Sequence, residues 1–333
     1  MNGATIRDVA RVAEVSVATV SRTLNGIDSV ALKTRDRVLR VAGELDYVPN
    51  SGARALSTRR TDTIGVLLPD LHGEFFSELI RGIDRAARAQ GLHLLLSSSH
   101  GDPAEAAAAL RAMRSRVDSI ILMLPDSSED LLAGRELAAV PTVILGRGTA
   151  GAAQCSLAID NYAGAFAITE HLIASGRRRV AFVSGPADNA DAGERRRGYR
   201  AAMRRAGLDE MVLDGDFSEQ AGRAAARRLL AGDRPDALFC ANDMMAIGAL
   251  EALKEAGVAV PSDIALAGFD DIPIARYVSP ALTTAAVPIA EIGRQALECC
   301  AAIIAGRPTN QQRTFEPQLV VRASTSAIRT VTN

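Results

Sequence analysis

From residue 63 onward the apolar positions fall into two alternating patterns. Short continuous runs, "TIGVLLP", "LHLLLSSS", "VDSIILMLP" and "VPTVILG", predict strands covered on both faces, as in parallel sheets. Between them, "EFFSELIRGIDRAARAQG", "DPAEAAAALRAMRS" and "SEDLLAGREL" place apolar residues at helical spacing, the first helix ending at Gly91. A second series begins near Asp160 with the helices "NYAGAFAITEHLIASG", "DAGERRRGYRAAMRRAG", "EQAGRAAARRLLAGD" and "MMAIGALEALKEAG". Its strands are "RRVAFVSGP", "DALFCAND" and "DIALAGFDD". The order strand-helix-strand predicts an open parallel sheet with helices on both faces, twice over. Two such units make a bilobed body with a cleft between them. The segment "LTTAAVPIAEIGRQALECCAAIIAGR" predicts one more helix before the chain closes near "QLVVRAS".

The first 48 residues are patterned differently. Thr5 is placed to cap a short helix, with Asp8 three residues on, and Ile6, Val9, Ala10 and Ala13 form its apolar stripe. Glu14-Val15 turns the chain. Ser16 can cap a second helix whose solvent side includes Val17, Ala18, Thr19, Ser21 and Arg22, while Val20 and Leu24 face inward. A third helix is predicted from about Lys33 to Leu45. Two short helices around a tight turn form a helix-turn-helix, whose second helix can enter a major groove. Thr19 and Ser21 are short enough to permit close approach and can bond to phosphate, and Arg22 can reach a guanine edge. The pattern alone equally fits a three-helix packing module whose hydroxyls are only caps.

Composition changes this picture little. A chain of 333 residues implies two or three domains. The formal net charge is −1, but residues 1–63 hold ten basic against seven acidic side chains, a slightly basic head on an acidic body. The four cysteines lack any C-x-x-C spacing and read as reduced, buried small hydrophobes. The four histidines form no ligand spacing, so no metal or other cofactor is expected. There is neither a P-loop nor a G-x-G-x-x-G after the first strand. With no nucleophile–base constellation either, an enzyme is not expected. No 18-residue apolar stretch and no N-terminal export pattern occurs, so a cytoplasmic protein without membrane contact is expected.

The head "TIRDVARVAEVSVATVSRTLNG", the following "VALKTRDRVLRVAGELDYVPNSGARALSTRRTDTIGVLLPD" and the body resemble the lactose and galactose repressor family of bacterial transcriptional regulators, over about residues 4–325. The resemblance implies a small all-α helix-turn-helix head on an α/β bilobed body like a periplasmic binding protein, with two open parallel sheets. It divides the chain into a head at 1–48, a hinge helix and linker at 49–62, one lobe at 63–159 with about 287–316, a second at 160–286 with about 317–325, and a tail at 326–333. It makes Val17, Ala18 and Arg22 the base readers, supported by Thr5, Ser16, Thr19, Ser21 and Asn25. Val17 and Ala18 have no hydrogen-bonding groups, so Arg22 is left with the polar readout. In the hinge, the resemblance assigns DNA contacts to Asn50, Ala53, Arg54 and Leu56, with Leu56 wedging between base steps. Gly52 stands where the family usually has valine, which predicts a weaker hinge helix.

For the cleft, the loops after the strands carry Asp70, Phe75, Phe76, Phe217 and Asn242, and Asp270 ends a buried run. Arg195 opens the run "RRRGY". The resemblance assigns Arg195, Phe217, Asn242 and Asp270 to the ligand. Of Phe75 and Phe76, one is expected in the core and the other over a sugar face. Asp243 is expected to be structural. The implied protein is a DNA-binding repressor whose affinity for a palindromic double-stranded operator is controlled by a small effector, a sugar being favoured. It is expected to act as a homodimer, since no heptad follows "LVVRAST". A co-repressor-dependent regulator with a non-sugar ligand is the alternative within this class. A cytoplasmic sugar-binding protein or a sugar-acting enzyme is the alternative outside it.

Overall fold

The structure is a computed structural model, which describes residues 4–24, 30–47, 60–124, 140–146, 155–232, 234–307, 309 and 311–326. The chain forms two compact units, residues 1–61 and 62–333.

The first unit contains α1 (Ile6–Val12), α2 (Val17–Leu24) and α3 (Leu32–Glu44). Thr5 caps α1 reciprocally: its hydroxyl accepts the Asp8 N–H at 3.4 Å, and the Asp8 carboxylate accepts the Thr5 N–H at 3.0 Å. Glu14 turns the chain with φ of 51°. Ser16 opens α2 by accepting the Thr19 N–H at 3.1 Å. Val9, Ala10, Ala13, Val20, Val38, Val41 and Ala42 form one small core, with Leu24 packed at its edge.

The second unit holds two six-stranded sheets. The first contains β1 (Thr63–Leu68), β2 (His93–Ser98), β3 (Ser119–Leu122), β4 (Thr142–Leu145), β5 (Cys155–Ile159) and β11 (Gln311–Phe315), in the order β11-β5-β4-β3-β1-β2. Every pair in it is parallel. Its faces are covered by α4 (Glu74–Ala89), α5 (Pro103–Met113) and α10 (Ile289–Ile304). The alternation along β1 shows this directly. Ile64, Val66 and Leu68 join the core with Leu79 and Ile83 of α4, whereas Leu67 joins Leu110 and Met113 of α5.

The second sheet contains β6 (Val180–Val183), β7 (Met211–Leu213), β8 (Ala237–Cys240), β9 (Ala265–Asp270), β10 (Thr283–Ala286) and β12 (Gln318–Val320), in the order β12-β10-β9-β8-β6-β7. It packs with α6 (Asn161–Ala174), α7 (Ala190–Arg205), α8 (Glu219–Leu230) and α9 (Asp243–Glu255). Two sequence expectations need correction here. The sheet is not wholly parallel, because β12 returns antiparallel to β10. The segment "LTTAAV" is not the start of a helix, because Thr283–Ala286 forms the fifth strand. Thr283 and Thr284 are fully buried, and their hydroxyls are held by Arg322, Thr325 and Asp243 rather than by water.

The paired helices approach closely through glycine. A methyl group on Gly222 of α8 would overlap the carbonyl of Met245 on α9, and one on Gly248 of α9 would overlap the carbonyl of Glu219 on α8. Gly222→Ala is therefore expected to destabilise the second unit by about 1–3 kcal/mol. Urea unfolding checks this, and an unchanged midpoint would show that the helices can separate freely.

Candidate functional site

The parallel strands of both sheets point their carboxyl ends at one cavity of about 620 Å³. All seven cleft residues singled out from the sequence line it: Asp70, Phe75, Phe76, Arg195, Phe217, Asn242 and Asp270. The two walls differ. The first lobe contributes mainly apolar groups, with Phe75, Phe76, Met123, Ile144 and Leu145. Phe75 and Phe76 pack edge to face with ring centroids 5.5 Å apart. Both are only half-buried, so the expected division of one core ring and one cleft ring does not hold.

The second lobe contributes a wired polar wall. Arg195 is 5 % exposed and is fixed from three sides. Its Nε donates to Asn161 Oδ1 at 2.7 Å, its Nη1 donates to the Ala241 carbonyl at 2.6 Å, and its Nη2 lies 3.2 Å from Asp270 Oδ1. Its guanidinium carbon sits 3.9 Å from the Phe269 ring centroid. Asn161 in turn donates to Asp191 at 2.8 Å. The run "RRRGY" explains this placement through the i,i+4 spacing on α7. Arg195 and Tyr199 share the buried face; the Tyr199 hydroxyl donates to the Val180 carbonyl at 2.7 Å and accepts the Met211 N–H at 2.9 Å, clamping β6 to β7.

Asp270 closes the buried strand β9 with φ of 109°, and Asp271 follows at 55°. These are left-handed values that a non-glycine residue adopts only when its surroundings impose them. Burial pushes the Asp270 carboxyl up to about 6; the Arg195 guanidinium opposes this, and the Asp191 charge adds to it. Asn242 caps α9 by accepting the Met245 N–H at 3.0 Å, and its amide donates to the Phe217 carbonyl at 3.0 Å. It therefore also anchors Phe217, whose φ of 70° turns the ring across Gly185. Asp243 is fully buried and accepts from Thr284 Oγ1 at 2.7 Å and Ile272 N–H at 3.0 Å. Burial holds its carboxyl well above the usual carboxylate range. Sequence reasoning missed Asn161 and Asp191. The only signal was their position, at the start of a helix and beside the arginine-rich run.

The lobes also touch directly: the Glu74 carboxylate of the first accepts the Ile274 N–H of the second at 3.2 Å.

In the head, α2 presents one exposed face. Val17, Ala18 and Arg22 are exposed, Thr19 and Ser21 are half-buried, and Val20 and Thr23 are buried behind them. The Ser16 and Thr19 hydroxyls bond to each other at 2.9 Å. The Thr5 hydroxyl bonds to Asp8 at 2.7 Å. Asn25, Asn50, Gly52, Ala53, Arg54 and Leu56 lie outside the described residues.

A helix-turn-helix head joined to a bilobed, ligand-cavity body defines a ligand-responsive DNA-binding regulator. Residues 5–50 match the family described as bacterial regulatory proteins, lacI family, and residues 169–325 match the periplasmic binding protein-like domain. The chain belongs to the lacI family. It is 35% identical to the HTH-type transcriptional repressor PurR of Photobacterium profundum, with 96% of this chain and 98% of that protein covered. It is 36% identical to the ribose operon repressor of Escherichia coli K12, over 96% of this chain and 99% of the relative. Among solved structures, the lac repressor dimer bound to operator and the anti-inducer ONPF superposes with a TM-score of 0.88 at 27% identity, covering 98% of this chain and 100% of that one. The transcriptional regulator CelR in complex with cellobiose superposes at 0.71 with 32% identity, covering 96% and 99%. This protein is accordingly a sequence-specific DNA-binding repressor whose operator affinity is controlled by a ligand, and not an enzyme. Among the described residues, no helix is long and apolar enough to cross a membrane.

Proposed function

We propose that two copies of this chain read a two-fold symmetric operator and that a sugar-sized effector in the cleft releases them from it. The observation that carries this reading is the cavity with one apolar and one polar wall. Such a site suits a ring with a C–H face and hydroxyl edges. Phe75, Phe76 and Phe217 cover the ring. Asp70, Asn242, Arg195 and Asp270 orient its hydroxyls. Val17, Ala18 and Arg22 read bases from the exposed side of α2, while Ser16, Thr19 and Ser21 approach phosphates. Asn25, Asn50, Ala53, Arg54 and Leu56 extend the contact in the same reading. The effector acts by changing the spacing of the two lobes, a motion in which the Glu74–Ile274 contact must be made or broken. A coupling of about 1–3 kcal/mol suffices.

The test is selection of bound duplexes from a random pool, with and without a mixed sugar library. An enriched palindrome lost on adding sugar supports the reading. Binding strengthened by sugar overturns the sign of coupling, and enrichment of no sequence overturns the operator assignment. A tetramer on sedimentation would overturn the dimer.

Acid should weaken the effector. In the folded chain the Asp270 carboxyl titrates near 6, above its ordinary value. Between about pH 4 and 6 the folded state therefore holds a proton that the unfolded chain has released. This group's contribution to stability is largest below that window and is lost as pH rises through 6. Its ion pair with Arg195 follows the opposite course, being complete at neutral pH. Effector affinity is expected to fall about tenfold from pH 7 to pH 5, as measured by calorimetry. A flat profile would remove Asp270 from the effector contacts.

A further inference from the structure

The first two residues of α2, Val17 and Ala18, are both apolar and exposed, Val17 to 42 %. They stand at the N-terminal end of the second helix of a helix-turn-helix, the part of such a helix that meets base edges in the major groove. The hydroxyls of the same turn are directed at one another. Ser16 and Thr19 bond through their side chains at 2.9 Å, and Ser16 also accepts the Thr19 N–H at 3.1 Å. Val20 is fully buried behind them. The exposed long donor, Arg22, comes four residues after Ala18, one turn further along the helix.

The major groove offers one apolar group, the C5 methyl of thymine. Every other group on the base edges there is a hydrogen-bond donor or acceptor. Pressed against valine and alanine, such a polar group would lose water and gain no partner. A thymine methyl would only bury apolar surface. We propose that Val17 and Ala18 read thymine methyl groups, so that each half-site of the operator sets thymine against the start of α2. This inference rests on α2 being the base-reading helix. Arg22 lies about 6 Å along the helix axis from Ala18, close to two base steps of about 3.4 Å. The thymines therefore fall within about two base pairs of the Arg22 contact. Each methyl buried in this way is worth about fourfold in affinity, the value of one CH2 group.

The experiment uses the full chain and duplexes selected with and without the mixed sugar library. Each thymine of the enriched half-site is replaced in turn by deoxyuridine, in both half-sites, which removes the methyl and keeps every hydrogen-bonding group. Affinities are compared by fluorescence anisotropy at one fixed salt concentration. One or two thymines per half-site should respond, uridine weakening binding by about fourfold per half-site and about fifteenfold for the symmetric pair. At those positions 5-methylcytosine should bind more tightly than cytosine by the same factor. Val17→Ala should weaken the thymine duplex and leave the uridine duplex at one responding position nearly unchanged, which a general loss of head stability would not do. Val17 is exposed and Val20 carries the packing of that turn, so the variant keeps the fold. An enriched palindrome indifferent to uridine overturns the methyl readout and leaves the operator assignment standing. So does a uridine effect that Val17→Ala leaves whole at every position. Enrichment of no sequence overturns both.

Discussion

Replacing Arg195 by methionine is expected to lower the unfolding free energy by about 3–5 kcal/mol and to abolish the effector response. Removing the guanidinium leaves Asp270 buried without its counter-charge and takes the donors from Asn161 Oδ1 and the Ala241 carbonyl. The large effect thus comes from the partners left behind rather than from the net worth of the ion pair. The double variant Arg195→Met, Asp270→Leu separates the two. It should regain much of the lost stability, because no uncompensated charge remains, but not the effector response. Lysine at 195 should also fail, since one ammonium cannot reproduce the planar three-way fork. Urea unfolding and calorimetry on the same samples check both outcomes. If Arg195→Met unfolds at the parental midpoint, the buried network contributes nothing.

Arg22→Ala is expected to lower operator affinity by about 1–3 kcal/mol, roughly ten- to a hundredfold, and to relax selection at one position in each half-site. The reason lies in what surrounds it. Val17 and Ala18 occupy the exposed face with no hydrogen-bonding groups, and the Ser16 and Thr19 hydroxyls bond to each other. Arg22 is left as the long donor on that face. Duplex selection with the variant distinguishes base readout from phosphate contact. A phosphate contact would weaken all sequences alike and reduce the salt slope by about one. That pattern would move the specificity elsewhere on the head.

Legibility of the fold from the sequence followed burial. β1, β3, β4, β6, β8 and β9 are apolar runs because helices cover both their faces, and each stood out. β7 is three residues long, and β11, "QQRTF", is a polar edge strand. β10, "TTAA", is buried but polar, and its threonines are satisfied by partners far away in sequence. No local pattern marks such strands. The cavity residues were legible where a loop follows a strand, as at Asp70, Asn242 and Asp270. The Asn161–Asp191 link was not, because it exists only once α6 and α7 are packed together. The sequence reading distinguishes Asp243 as structural from Asp270 as a ligand contact, but not the partners that separate them. Both are buried acids at strand or helix ends, and only the fold shows that Thr284 and Ile272 occupy the first while the second faces the cavity.

The last two strands have a consequence for how the protein is made. β11 completes the edge of the first sheet beside β5, and β12 completes the edge of the second beside β10, with two residues between them. During synthesis the first sheet has most of its strands by Ile159, yet it waits some 150 residues for α10 and then β11. The first sheet is not finished until residue 315 has left the ribosome, and the second not until residue 320 has. The two lobes are therefore completed within a few residues of each other, and the nascent chain carries an open strand edge on each sheet until then.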